Sequence, residues 1–196
     1  MVYLTDAEPS WISQIPKNII ENKEFITIMD FFLFRTPVKS LSARSNTLQQ
    51  HGWNTPWKKP YWLQRHLRRL SSNYCLLFST QKYDNMEDTL ARANLKDGFP
   101  SVDTQTERIC IFDRERNQFM SVFYHLRDSF AHGRFNIVDD NNDWIFLLED
   151  VVPNQKSNMA KVSARMIIKK STLLAWIDCI SNGQKIYVKE PKENEN

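Results

Sequence analysis

One stretch limits the fold more than any other. In residues 113–132, Phe119, Phe123, Leu126 and Phe130 recur at three- and four-residue steps. On an ideal helix these side chains gather on one side, so the stretch predicts a helix with its apolar face against a core. Gly133 follows it and supplies the left-handed position at which helices commonly end. Past that glycine the pattern changes. Residues 134–138 and 144–149 flank the polar turn Asp139-Asp140-Asn141-Asn142-Asp143 and predict a β-hairpin. Residues 161–169 (KVSARMIIK) predict a third strand, and Ser171 is placed to cap a last helix through Ile180.

The first half reads as helical. Residues 18–35 carry Ile19, Ile20, Phe25, Ile28, Met29, Phe32 and Leu33 near helical spacing and stop before Pro37. Pro60 suits the first turn of a helix running to about residue 80, with Leu63, Leu67, Leu70, Tyr74 and Leu77 along one face. Residues 84–95 predict a short helix and residues 96–106 a loop. The expected architecture is mainly α (α+β), with a small C-terminal antiparallel hairpin or meander and a final helix. We expect a single domain over residues 1–185 and a polar tail over 186–196.

Composition excludes several classes. Only 4 glycines in 196 residues argue against an all-β fold rich in tight turns and against a glycine-rich phosphate loop. The three cysteines are scattered through apolar runs with no Cys-x-x-Cys pair, as buried free thiols would be. No basic segment followed by an apolar one opens the chain, and the apolar run at residues 25–34 is too short to span a bilayer and contains Asp30. These features predict a cytoplasmic protein without membrane contact.

Charge is unevenly spread. Residues 31–83 contain no acid and nine cations: Arg35, Lys39, Arg44, Lys58, Lys59, Arg65, Arg68, Arg69 and Lys82. The remainder holds 17 cations (26 less nine) against 23 acids, a balance of −6. Such a segment suits a polyanion if its cations cluster in space; otherwise it is a solvated helix face. Trp53, Trp57, Tyr61 and Trp62 interleave with Lys58, Lys59, Arg65, Arg68 and Arg69. Aromatics among cations can stack on unpaired bases, or can serve a core or interface.

The candidate site lies at the end of the central helix, in the string LRDSFAHGRF at residues 126–135. His125, Asp128 and His132 fall within about 60° on an ideal helix, whereas Arg127 and His132 diverge by about 140°. Asp128 is four residues before His132, so its carboxylate can hold the imidazole. An Arg with a nearby His suits phosphodiester chemistry: the guanidinium binds the phosphate and the imidazole exchanges protons. Because the two diverge, they converge on one substrate only if the helix end deforms or a second chain completes the site. A His125–Asp128–His132 metal site has too sparse a ligand set to prefer. His125 reads as a flanking residue, and Arg134 either adds a phosphate contact or begins the hairpin.

The string Arg127-Asp128-Ser129-Phe130-Ala131-His132 resembles the Arg-polar-x-x-x-His motif of the HEPN superfamily. The continuation AHGRF, the hairpin and the helix opening KKSTLLAWID look like those of small bacterial HEPN proteins. The resemblance is specific over residues 123–135 and extends in element order to Ile180; before residue 95 it is only helical character. It implies a HEPN-like helical bundle and a homodimeric, metal-independent endoribonuclease that leaves 2′,3′-cyclic phosphate ends. It further implies a toxin or phage-defence role, with an antitoxin or regulatory partner compatible with that role, and no cofactor. Carried over by position, Arg127 binds the phosphate and His132 is the acid or base. Asp128 takes the polar position, where the family most often has Asn. The alternative is a non-catalytic HEPN-like module for RNA binding, regulation or dimerisation.

Overall fold

The computed structural model describes residues 4–6, 9–38, 46–53, 61–71, 75–99, 103, 106–114, 118–140, 143–153 and 159–182. The elements follow the order β1 (Leu4–Asp6), α1 (Lys17–Ile20), α2 (Lys23–Asp30), a π-helical turn (Phe31–Arg35), α3 (Tyr61–Leu70), β2 (Leu76–Thr80), α4 (Met86–Arg92), β3 (Arg108–Phe112), α5 (Gln118–Ala131), β4 (Phe135–Asp140), β5 (Asp143–Pro153), β6 (Met159–Lys169) and α6 (Lys170–Asn182).

A six-stranded sheet organises the chain. Its path runs β2-β3-β6-β5-β4, and β1 pairs with the far end of β6. Only β2 and β3 are parallel; the other pairs are antiparallel. This overturns the expectation of a mainly helical, HEPN-like bundle with a small C-terminal hairpin. Both faces of the sheet are covered. On one face Ile109, Ile111, Phe146, Leu148, Ala164, Met166 and Ile168 join side chains of α2, α3, α5 and α6. On the other, Cys110, Ile145, Leu147 and Ile167 meet Met86 and Leu90 of α4 and the following Ala93, Leu95 and Phe99. A strand buried on both faces reads as a continuous apolar run, which periodicity cannot tell from buried helix. That is why Arg108–Phe112 escapes a sequence reading; Leu76–Thr80 is a partly exposed edge strand whose five residues are too few to show alternation.

Other boundaries move for local reasons. The helix expected over residues 60–80 ends at Leu70, and Leu76–Thr80 pairs with β3 instead. The helix expected over residues 18–35 breaks at Glu21-Asn22; Asn22 restarts it by accepting a hydrogen bond from the Glu24 amide at 2.8 Å. Ser171 does not cap α6 with its own side chain. Its amide and hydroxyl donate to the carboxylate of Asp143, at 3.3 and 2.7 Å.

One irregularity shapes the site. Asp150 pairs with Ala164 and Val151 with Val162, so Ser163 is an extra residue in β6. Such a bulge reverses the alternation beyond it. Val162 accordingly joins the α4 face, while Ser163 donates its hydroxyl to Asp150 at 2.7 Å. Among the described residues no helix is long and apolar enough to cross a membrane.

Candidate functional site

Helix α5 has three sides. Phe119, Val122, Phe123, Leu126 and Phe130 are buried in the main core. Phe130 packs edge-on against Phe135 and Phe146, and Phe123 against Trp176. A second, polar side is also buried: Ser121, His125, Asp128 and Ser129. Tyr124, Arg127 and Ala131, again at helical steps, form the side that solvent reaches.

The helix ends as its glycine dictates. Gly133 has φ +65°, the Gly133 amide donates to Phe130 O, and the Arg134 amide donates to Ser129 O. This pair of bonds is a Schellman cap, which satisfies carbonyls the last turn would otherwise leave bare. The cap leaves His132 exposed at the helix end and turns Arg134 inward. Arg134 is buried and pairs with Glu149. Glu149 also accepts from Arg165 Nε at 2.7 Å, and Arg165 donates onward to the carbonyl of Leu95 at 2.8 Å. The Arg134 guanidinium is thus engaged in a buried network.

Arg127 and Asp128 do come together. Arg127 Nη1 donates to Asp128 Oδ1 at 2.7 Å, with Arg127 about a quarter exposed (25%). Asp128 reaches His132 only through the backbone, His132 N to Asp128 O at 3.0 Å. Its negative charge instead acts on the Tyr124 phenol, one turn back on the same helix. The Tyr124 phenol is held above its ordinary pKa, first by burial and then by the negative charge of Asp128.

His125 is not a flanking residue. Its ring is fully buried between Asp150 Oδ2, 2.6 Å from Nδ1, and Phe112 O, 2.7 Å from Nε2. A carbonyl can only accept, so Nε2 donates to Phe112 O while Nδ1 faces the Asp150 carboxyl. With both ring nitrogens engaged, His125 offers no free ligand atom alongside Asp128 and His132.

The basic segment is only partly described. Arg65, Arg68 and Arg69 lie exposed on α3, at steps that put them on one face opposite buried Leu63 and Leu67. Lys58, Lys59 and Trp57 lie outside the described residues, as do the side chains of Tyr61 and Trp62. Trp53 is a core residue whose indole donates to Ile180 O at 3.1 Å.

The sequence reading missed Tyr124, Arg114 and Tyr83. Arg114, just past β3, donates from Nη1 to the Tyr124 hydroxyl at 2.8 Å and from Nη2 to the Tyr83 hydroxyl at 3.3 Å. Its guanidinium lies 4.9 Å from the centre of the Tyr124 ring. Tyr124 was detectable in principle, being four residues before Asp128 on the same helix face. Set against known protein families, curated proteins and solved structures, the chain matches none.

Proposed function

We propose that the chain is a metal-independent endoribonuclease whose site is the exposed end of α5, with Arg127 and His132 as its working groups. One observation carries the reading: the Arg127 guanidinium is held on the solvent side of α5, one turn from an exposed His132 with no side-chain bond among the described residues. Arg127 would bind the scissile phosphate and stabilise the charge that builds on it. His132 would take the proton of the 2′-hydroxyl or return one to the leaving 5′-oxygen, giving a 2′,3′-cyclic phosphate. The two groups diverge by about 140° around an ideal helix, so a homodimer offering one motif from each chain is part of the proposal. So are a cytoplasmic setting, a toxin or phage-defence role, and an antitoxin or other regulatory partner. These rest on the HEPN-like motif alone, because the surrounding fold is not a helical bundle.

The Arg127–Asp128 pair favours a second reading. A guanidinium neutralised by its neighbour is a weaker transition-state cation, which suits a non-catalytic RNA-binding or regulatory module.

The test is cleavage of total RNA by wild type, Arg127→Ala and His132→Ala in excess EDTA. The endoribonuclease reading expects cutting by wild type only, with cyclic phosphate ends. Equal cutting by all three proteins would falsify the assignment of the site. Binding without cutting moves the second reading forward.

A further inference from the structure

Arg114 differs from the other arginines around α5 in what holds it. Arg127 is paired with Asp128 and Arg134 with Glu149. Arg114 makes no ion pair among the described residues; it is held by two phenols, Tyr83 and Tyr124. Tyr83 is itself fixed, stacked on Phe112 with ring centres 3.8 Å apart. Tyr124 is carried on α5 with its ring beside the guanidinium. Neutral hydroxyls restrain a guanidinium without cancelling its charge. An exposed cation held in this way is preorganised for an anion, because its ordering cost is met before the ligand arrives.

The hydrogen bonds also give this cation an address. Arg114 bonds to Tyr124 and Arg127 to Asp128, and Tyr124 and Asp128 stand one turn apart on α5. Two guanidinium groups are therefore tethered one helical turn apart, on the solvent side of α5.

We infer that Arg114 is a second phosphate-binding residue, taking a backbone phosphate of the RNA next to the one held by Arg127, with Tyr83 and Tyr124 as its positioning residues. This rests on the proposed RNA-binding site, though not on cleavage. Arg114 would contribute affinity and register, while Arg127 and His132 would do the chemistry.

The experiment measures binding of a fully 2′-O-methylated single-stranded RNA, which cannot be cut, as a function of salt. Wild type is compared with Arg114→Ala and Arg114→Gln; the latter keeps hydrogen-bonding capacity toward the phenols but carries no charge. Both variants should bind about tenfold more weakly, as loss of a charge-assisted hydrogen bond implies. Each should show a salt slope shallower by about 0.7. In a parallel cleavage assay KM should rise while kcat is largely kept. Tyr124→Phe should weaken binding by less, since the ring still supports the guanidinium. Unchanged affinity and slope in Arg114→Gln overturn the inference, and so does a wild type that fails to bind the RNA. Inorganic phosphate is titrated in parallel: if Arg114→Gln loses phosphate binding but keeps RNA binding, the site is for free phosphate and the RNA subsite is wrong. If His132→Ala cuts as well as wild type while Arg114→Gln still binds weakly, the cleavage reading fails and this one stands.

Discussion

Arg127 and Asp128 are consecutive residues that hold each other, Nη1 to Oδ1 at 2.7 Å, on the rim between the buried polar side of α5 and its solvent side. The pair orients Arg127 and also draws on its charge. Asp128→Asn separates the two effects, since an amide oxygen still accepts from Arg127 without a negative charge. A partly exposed ion pair contributes up to about 1 kcal/mol, so stability should change little. RNA affinity and cleavage should rise severalfold as the counter-charge beside Arg127 is removed. Cleavage kinetics with a defined oligonucleotide check this, and a drop in affinity would show that the carboxylate acts for the substrate rather than against it.

The two histidines of α5 and its end should behave oppositely. His125 joins Asp150 on β5 to the Phe112 carbonyl at the end of β3, inside the protein. His125→Ala leaves the buried Asp150 with Ser163 but without the imidazole, and losses of about 3–5 kcal/mol are usual for such broken pairs. His132 is exposed, so His132→Ala should change stability by no more than about 0.5 kcal/mol while removing activity. Urea denaturation of both variants decides the matter. A stable His125→Ala would mean that the His125–Asp150 contact contributes little.

Glu149 pairs with both Arg134 and Arg165, and its side chain is wholly buried. Glu149→Ala takes the shared carboxylate from two buried guanidinium groups. The expected cost is about 3–5 kcal/mol, with Glu149→Gln milder and of the same sign. Arg134→Met removes one cation together with its pairing and should cost less than Glu149→Ala. The reverse order of chemical denaturation midpoints would show that Glu149 is not what balances the pair.

How far these features could be read from the chain depends on how local their causes are. The stop of α5 needs only Gly133 and its positive φ, and the hairpin needs only its polar turn, so both were legible. Strands β2 and β3 are five-residue runs with partners far along the chain, too short for periodicity to separate strand from helix. The Schellman cap also explains why Arg134, adjacent in sequence to the motif, ends in an ion pair across the β4–β5 hairpin. Arg127 and Asp128 meet because they are neighbours. Arg114 joins them only because β3 ends beside α5, and His125 is buried because its partner lies 25 residues onward on β5.

The described thiols give a pH dependence with a definite sign. Cys75, Cys110 and Cys179 are free, and burial pushes Cys110 and Cys179 up to about 12 from an ordinary 9.0. Below pH 9 both folded and unfolded chains keep these protons, so stability does not depend on them. Between about 9 and 12 the unfolded chain releases them while the folded chain retains them, and stability falls as pH rises. The limiting slope is about 1.4 kcal/mol per pH unit for each thiol. Lysines and tyrosines titrate in the same window, so the informative quantity is a difference. The Cys110→Ala/Cys179→Ala double variant should lose less stability than wild type between pH 8 and 10.5. In the native wild type at pH 8, Cys110 and Cys179 should also resist a thiol-specific disulfide reagent that modifies them freely in urea. An identical fall in both proteins, or fast labelling of the native chain, would show that these thiols are not held protonated by burial.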